Sequence, residues 1–275
     1  MDKISLNNLN QEQELKQQEI LEQFEKESTT RKFDSYALVN GIYWISIAIA
    51  LYHFITAAVG YPATHLHRSL HVAMMLFMTF FLYPIGKKSS RKTIPWYDIA
   101  LALASIAVAV YVWVDYVGFI NRMGSPNLID VIFGTMLIIL VLEASRRISG
   151  WPLVILSLIF ILYGLVGRSL PGIFMHRGYD WRAIVNHAFI NTEGIYGTSV
   201  DVAASYIFLF ILFGTIMNKC GMGRFFNDLA LAFAGSTKGG PAKVAVIASG
   251  LLGSINGSAV ANVVTTGTFT IPLMK

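Results

Sequence analysis

A short polar run, Gly253-Ser254-Ile255-Asn256-Gly257-Ser258, lies between two apolar arms, Val244–Leu252 and Ala259–Met274. The first arm is too short to cross a bilayer as a helix, which takes ~20 residues. The second carries Asn262, Thr265, Thr266, Thr268 and Thr270 at what would be membrane depth. Unpaired polar groups are costly in hydrocarbon, so an interrupted helix is tolerated only when it is buried in protein or lines a cavity. A re-entrant helical hairpin opened from the inner side meets both conditions. At its tip one arm ends in free carbonyls and the other begins with free amide hydrogens. Carbonyl, Ser and Asn oxygens suit a hard cation such as Na⁺, and the amide end favours a carboxylate. Asn262, Thr265 and Thr266 stand at i, i+3 and i+4, on one helical face that can point to the same cavity. The competing reading is a close helix crossing on the small-xxx-small spacing of Gly253 and Gly257.

The elements that must position this run are set by composition. Of the 275 residues, 55% are hydrophobic and 13% charged, against roughly 25% charged in a soluble domain. Eight of the 16 acids precede residue 35, so the remainder is more apolar still and a soluble fold is nearly excluded. The formal charge of +5 is spread as short cationic clusters between apolar runs, which is a topology signal rather than a nucleic-acid surface. One cysteine, Cys220, rules out an internal disulfide framework and any Cys-based zinc site. Six runs have spanning length or borrow it from their flanks: Ala37–Val59, His71–Ile85, Tyr97–Val117, Leu128–Leu142, Gly150–Gly167 and Val202–Met217. The chain is therefore expected to be an all-α integral membrane protein, a polytopic helical bundle of six spans plus the re-entrant hairpin at about 243–274. No secretory signal is expected, because 36 polar residues precede the first run.

With the N-terminus inside, 15 Lys and Arg residues fall on the inner side and five (Arg68, Arg122, Arg168, Arg177, Arg182) on the outer, leaving Lys275 uncounted. Cytoplasmic loops carry the excess of cations, so the N-terminus is expected in the cytoplasm. Residues 1–36 read as a solvated helix with sparse apolar positions. Residues 168–201 predict an interfacial helix leading into a partly inserted turn. Residues 222–242 predict an amphipathic helix ended by Gly235 and the Gly239-Gly240-Pro241 breaker.

His67 and His71 are i, i+4, but no Asp, Glu or Cys is near in sequence, so interfacial packing is favoured over a metal site for His65, His67 and His71. Gly235–Lys243 lacks the Gly-Lys-Ser/Thr ending of a phosphate loop. Asn256-Gly257-Ser258 matches a glycosylation acceptor that a membrane hairpin would hide. Glu143 suits local pairing with Arg146 and Arg147. Asp115 draws attention because membrane carboxylates are expensive, with an interface role favoured. No nucleophile stands with a base, so the chain is not expected to be an enzyme.

The segment GSINGSAVANVVTTGTFTIPLM (253–274) resembles the first hairpin motif of the large permease subunit of TRAP transporters, the tripartite ATP-independent periplasmic class. Its Asn-Gly-Ser and Thr-Thr-Gly-Thr variant is similar to the fused permeases of the TAXI branch. TEGIYGTSVDVAASYIFLFILFG (192–214) and the following GRFFNDLALAFAG match the same family. The resemblance implies three parts: a polar cytoplasmic segment 1–36, a four-helix small-subunit-like scaffold 37–147, and at 148–275 the start of a large-subunit-like transport unit. It also implies a multi-pass protein of the bacterial inner membrane, Na⁺ as coupling ion with no other cofactor, and a periplasmic substrate-binding protein as partner. The expected substrate is a small organic anion, a dicarboxylate or amino acid such as 2-oxoglutarate or glutamate, moved by an elevator mechanism. Nucleic acid is not expected as a partner. Carried onto this chain, the implied substrate- or sodium-binding residues are Ser254, Asn256, Gly257, Ser258, Asn262, Thr265 and Thr266, with Na⁺ at the tip on Ser254, Asn256 and Gly257. The family continues through a second repeat with its own hairpin, so residues 1–275 alone are not expected to complete the site. The rivals are a sodium-coupled carrier of another family and a non-transporting membrane scaffold.

Overall fold

The computed structural model describes residues 30–61, 63–86, 89, 92–255 and 259–274, and every regular element among them is helical. The helix expected within residues 1–36 falls mainly outside the described residues. The chain divides into two compact units, Thr29–Tyr206 and a second over Ile207–Lys275. The first contains α1 (Tyr36–Val59), α2 (Thr64–Leu82), α3 (Trp96–Val114), α4 (Tyr116–Asn121), α5 (Leu128–Ser149), α6 (Trp151–Val166), α7 (Trp181–Val185) and α8 (Thr198–Val202). The second contains α9 (Phe208–Lys219), α10 (Met222–Ala234), α11 (Gly240–Gly253) and α12 (Ala259–Met274).

Among the described residues, five stretches are long and apolar enough to cross a membrane: Tyr36–Val59, Trp96–Val114, Leu128–Ser149, Trp151–Ser169 and Thr198–Lys219. They coincide with five of the six expected spans. The remaining one, α2, has the length, 19 residues or about 28 Å at 1.5 Å per residue. It begins seven residues earlier than the apolar run suggests, because its first two turns are polar. His65, His67, Arg68, Ser69 and His71 are all buried inside the protein there. The sixth expected span is thus a helix of spanning length that lacks the apolarity of the other five.

The core of the first unit is aromatic. Phe80, Phe119, Phe189 and Tyr196 are almost fully buried, with Phe119 and Phe189 edge to face at 5.1 Å between ring centres. Leu137, Leu140, Val108 and Val112 complete it from α5 and α3. Gly134 allows the close approach of the segment after α7: a Cβ there would stand 3.0 Å from Phe189. The expected interfacial helix of residues 168–201 is short, α7, and it widens into a π-helical turn at Asn186–Ile190.

Charged groups lock the ends of these helices. At the start of α3, Asp98 is completely buried between Arg31, with which it pairs closely, and Arg147, 2.7 Å away. Arg31 also donates to the Phe80 and Phe81 carbonyls at 3.0 Å, and Arg147 donates to Tyr83 O at 3.0 Å. The open carbonyl end of α2 is thus capped by guanidinium groups, which the helix dipole favours. Glu143 accepts from Arg146 and Arg147 at 2.8 Å, as the i, i+3 and i, i+4 spacing predicts. At the start of α5, Asn127 and Asp130 form a reciprocal capping box. Asp130 further accepts from Arg122 at 2.7 Å, and Asp115 accepts from the same guanidinium at 2.8 Å. Its hydrogen bonds to Asp130 first, then to Asp115, raise the Arg122 pKa above the ordinary arginine range. Asp115 therefore has a structural partner, in line with the interface role.

Helix α1 is attached differently. Of its 24 residues only Ile49 and His53 are buried. Tyr52 Oη lies 2.9 Å from His67 Nδ1, and His53 Nε2 lies 2.8 Å from His71 Nδ1. His53 Nδ1 is 2.8 Å from the Ile49 carbonyl, which only accepts, so that nitrogen carries the hydrogen. Lipid gives apolar helices no hydrophobic reason to associate, so such interhelical hydrogen bonds carry much of the attachment. Two of the three histidines singled out in the sequence, His67 and His71, thus hold α1 together with a fourth, His53, while His65 packs edge-on to Phe119 and Tyr196 with both ring nitrogens unpartnered among the described residues.

Candidate functional site

The second unit is built around α11 and α12, which pack against one another. At 14 and 16 residues they are about 21 and 24 Å long, short of the ~30 Å hydrocarbon core. Gly239 takes a left-handed conformation (φ 72°) and Pro241 sits in the first turn of α11. The Gly-Gly-Pro run thus begins α11, while the preceding helix has already ended at Ala234 with Gly235 as its cap. As expected, residues 222–242 contain an amphipathic helix, α10, whose small residues Gly223, Ala230 and Ala234 are buried. Ala230 and Ala234 pack against Val244 and Ala248 of α11.

Asn262 ties the two arms together. Its Nδ2 donates to the Ser249 carbonyl at 3.1 Å and to Ser249 Oγ at 3.2 Å. The other end of the same amide, Oδ1, is buried and has no hydrogen-bond partner among the described residues. Thr266 is buried on the same face one turn on, and its hydroxyl donates back to the Asn262 carbonyl at 2.7 Å. Thr270 repeats that pattern onto Thr266 at 2.8 Å. Thr265 is half-buried, and a Cβ on Gly223 would meet its methyl at 3.0 Å. Ser254 is exposed in the turn after α11, its hydroxyl donating to the Leu251 carbonyl at 2.7 Å. Asn256, Gly257 and Ser258 lie outside the described residues.

Of the expected site residues, Asn262 and Thr266 therefore share a face, and Ser254 stands at the tip. Ser249, Gly214 and Asn227 were not singled out in the sequence. Gly214 brings α9 against the tip, where a Cβ would collide with the Ile255 carbonyl. Asn227 of α10 is buried with its own Oδ1 unpartnered among the described residues. A lone Ser or Asn in an apolar helix carries no spacing signal, whereas the Gly and Asn cluster of the tip does. An unpaired buried carboxamide oxygen normally costs ~1–3 kcal/mol and calls for a partner. Hard-cation coordination and acceptance from a ligand donor are both within its chemistry.

Helices of spanning length, together with short interrupted arms carrying polar side chains, define a polytopic helical membrane protein with a broken-helix hairpin. Residues 136–275 match the family described as the tripartite ATP-independent periplasmic transporter, DctM component, and the chain belongs to that family. The matched region begins within α5 and takes in the whole hairpin. A TRAP transporter large permease protein named from Haemophilus influenzae is 28% identical over 119 residues, 42% of this chain and 28% of that protein. The alignment thus spans less than a third of that relative's length. No solved structure matches.

Proposed function

We propose that this chain forms part of the permease of a sodium-coupled, binding-protein-dependent secondary transporter that imports small organic anions. The observation that carries the reading is the α11–α12 hairpin, with arms too short to span and a buried Asn262 Oδ1 that has no partner among the described residues, inside the family-matched region. Ser254, Asn256, Gly257 and Ser258 at the tip, with Asn262, Thr265 and Thr266 on the outgoing arm, are the proposed Na⁺ and substrate contacts. Residues 37–147 are the proposed small-subunit-like scaffold, fused ahead of the transport unit at 148–275 as in the TAXI branch. The substrate class is dicarboxylates or amino acids such as 2-oxoglutarate and glutamate, delivered by a periplasmic binding protein. The hairpin-bearing part moves as an elevator against the scaffold. The 15 to 5 cation split supports an N-terminus in the cytoplasm. Each net positive charge entering gains about 2.3 kcal/mol per 100 mV, enough for symported Na⁺ to drive an anion uphill without ATP.

Side-chain substitution at the tip tests this reading. In the transporter expressed in full, Asn256→Ala and Ser258→Ala should raise the sodium concentration for half-maximal uptake about 10-fold or more while expression is kept, since each removes a proposed coordinating oxygen. If the tip only packs helices, both alanines should be tolerated with unchanged sodium dependence, and the bulky Gly257→Leu should abolish assembly.

A further inference from the structure

A second site stands apart from the hairpin, within the Thr29–Tyr206 unit. A cavity of about 770 Å³ opens where the span Trp151–Ser169 ends. Pockets of 300–1,000 Å³ are the size that takes a small ligand. Its lining is divided by chemistry. Phe160, Ile161 and Gly164 of α6 form an apolar floor at membrane depth, and Arg177, Arg182 and Asn186 stand on the polar side. Arg177 and Arg182 are exposed, and among the described residues neither makes an ion pair.

The polar side is held in place by its own contacts. The His176 ring bonds the Tyr163 carbonyl at 3.0 Å through Nε2 and accepts from the Gly178 amide at 3.1 Å through Nδ1. Gly178 is left-handed (φ 67°), which turns the chain there. The Arg177 carbonyl accepts from Arg168, and the Arg177 guanidinium lies 5.0 Å over the Tyr179 ring. Asn186 Oδ1 accepts from the Gly124 amide at 2.8 Å, joining the 121–127 loop to the far wall. Asp180 also lines the cavity, but one carboxylate oxygen is committed to the Ala183 amide at 3.0 Å. The rim therefore offers two guanidinium groups against one partly engaged carboxylate.

An apolar floor continuous with hydrocarbon under a cationic rim at a span's end is the shape of an amphiphile, not of a soluble anion. We propose that this cavity holds one membrane phospholipid, its phosphodiester on Arg177 and Arg182 and an acyl chain along Phe160 and Ile161. Guanidinium pairs with phosphate oxygens in a bidentate fork, which makes these two arginines the selective part of the site. The floor supplies the rest of the affinity by burying methylene groups. The proposal does not rest on the transport reading, since none of its residues is among the proposed Na⁺ and substrate contacts.

Native mass spectrometry of the whole chain in detergent, with phosphatidylglycerol added and inorganic phosphate as a separate arm, tests it. The unaltered chain should retain one phosphatidylglycerol. A cation beside an anionic headgroup contributes roughly 5-fold, so Arg177→Ala with Arg182→Ala should weaken retention about 30-fold. Gly164→Leu, which fills the floor, should also release the lipid while far-ultraviolet circular dichroism stays unchanged. Millimolar phosphate should leave the adduct in place. Equal retention in the arginine variant, or displacement by inorganic phosphate with no effect of Gly164→Leu, would overturn the proposal.

Discussion

Replacing Asp98 with Asn should destabilise the Thr29–Tyr206 unit by about 3–5 kcal/mol, the largest stability loss expected from a single polar substitution in this protein. The carboxylate and the side chains of Arg31 and Arg147 are all 0% exposed. Asn keeps the size but removes the charge, leaving two buried guanidinium groups facing one another. Their bonds to the carbonyls at the end of α2, and that of Arg147 to Glu143, compensate only in part, because the carbonyls carry partial charge and Glu143 is shared with Arg146. A loss of that size corresponds to a Tm lower by roughly 10 °C for a unit this long. Thermal unfolding in detergent, followed by circular dichroism, checks it. Lys92→Met, which breaks the exposed pair with Asp34, should leave the same Tm unmoved. A fall of under 1 kcal/mol for Asp98→Asn would mean that water reaches the cluster.

The largest effect on transport is expected at Asn262. Asn262→Ala removes two things at once: the bonds to Ser249 that join the arms and the oxygen that faces no protein donor among the described residues. The first loss costs about 1–2 kcal/mol of hairpin stability. The second, on the proposed function, removes a Na⁺ or substrate contact and should raise the half-maximal sodium concentration 10- to 100-fold. Ser249→Ala separates them. It deletes only Ser249 Oγ and leaves the backbone carbonyl to accept from Asn262, so sodium dependence should hardly shift. Equal shifts in both variants would mean that Asn262 acts through arm packing alone.

Hydropathy made the five apolar spans legible, since bilayer thickness imposes a length that composition reveals. It failed at the start of α2, where His65, His67 and Arg68 look like loop residues until their partners are known: Arg68 bonds Asp201 at 3.0 Å and the Tyr196 carbonyl at 2.6 Å. Those partners lie over 120 residues away, and no local pattern announces them. The same holds for Asp98, whose two arginines come from opposite sides of it in the chain. Local pairs, such as Glu143 with Arg146 and Arg147, were visible because helical spacing brings them together. In the hairpin, the glycine and proline punctuation marked the ends of both arms. Ser249 did not stand out, because its role depends on the register between arms rather than on its neighbours in sequence. The π-helical turns at Asn186–Ile190 and Ala203–Ile207 had no sequence signal at all.

Uptake into proteoliposomes tests the central claim most directly. The transporter expressed in full is reconstituted with a periplasmic binding protein loaded with a labelled dicarboxylate or amino acid, and sodium is placed outside. Accumulation should follow the imposed sodium gradient, need the binding protein, and collapse when the gradient is abolished. Accumulation that persists with sodium replaced by choline would contradict it.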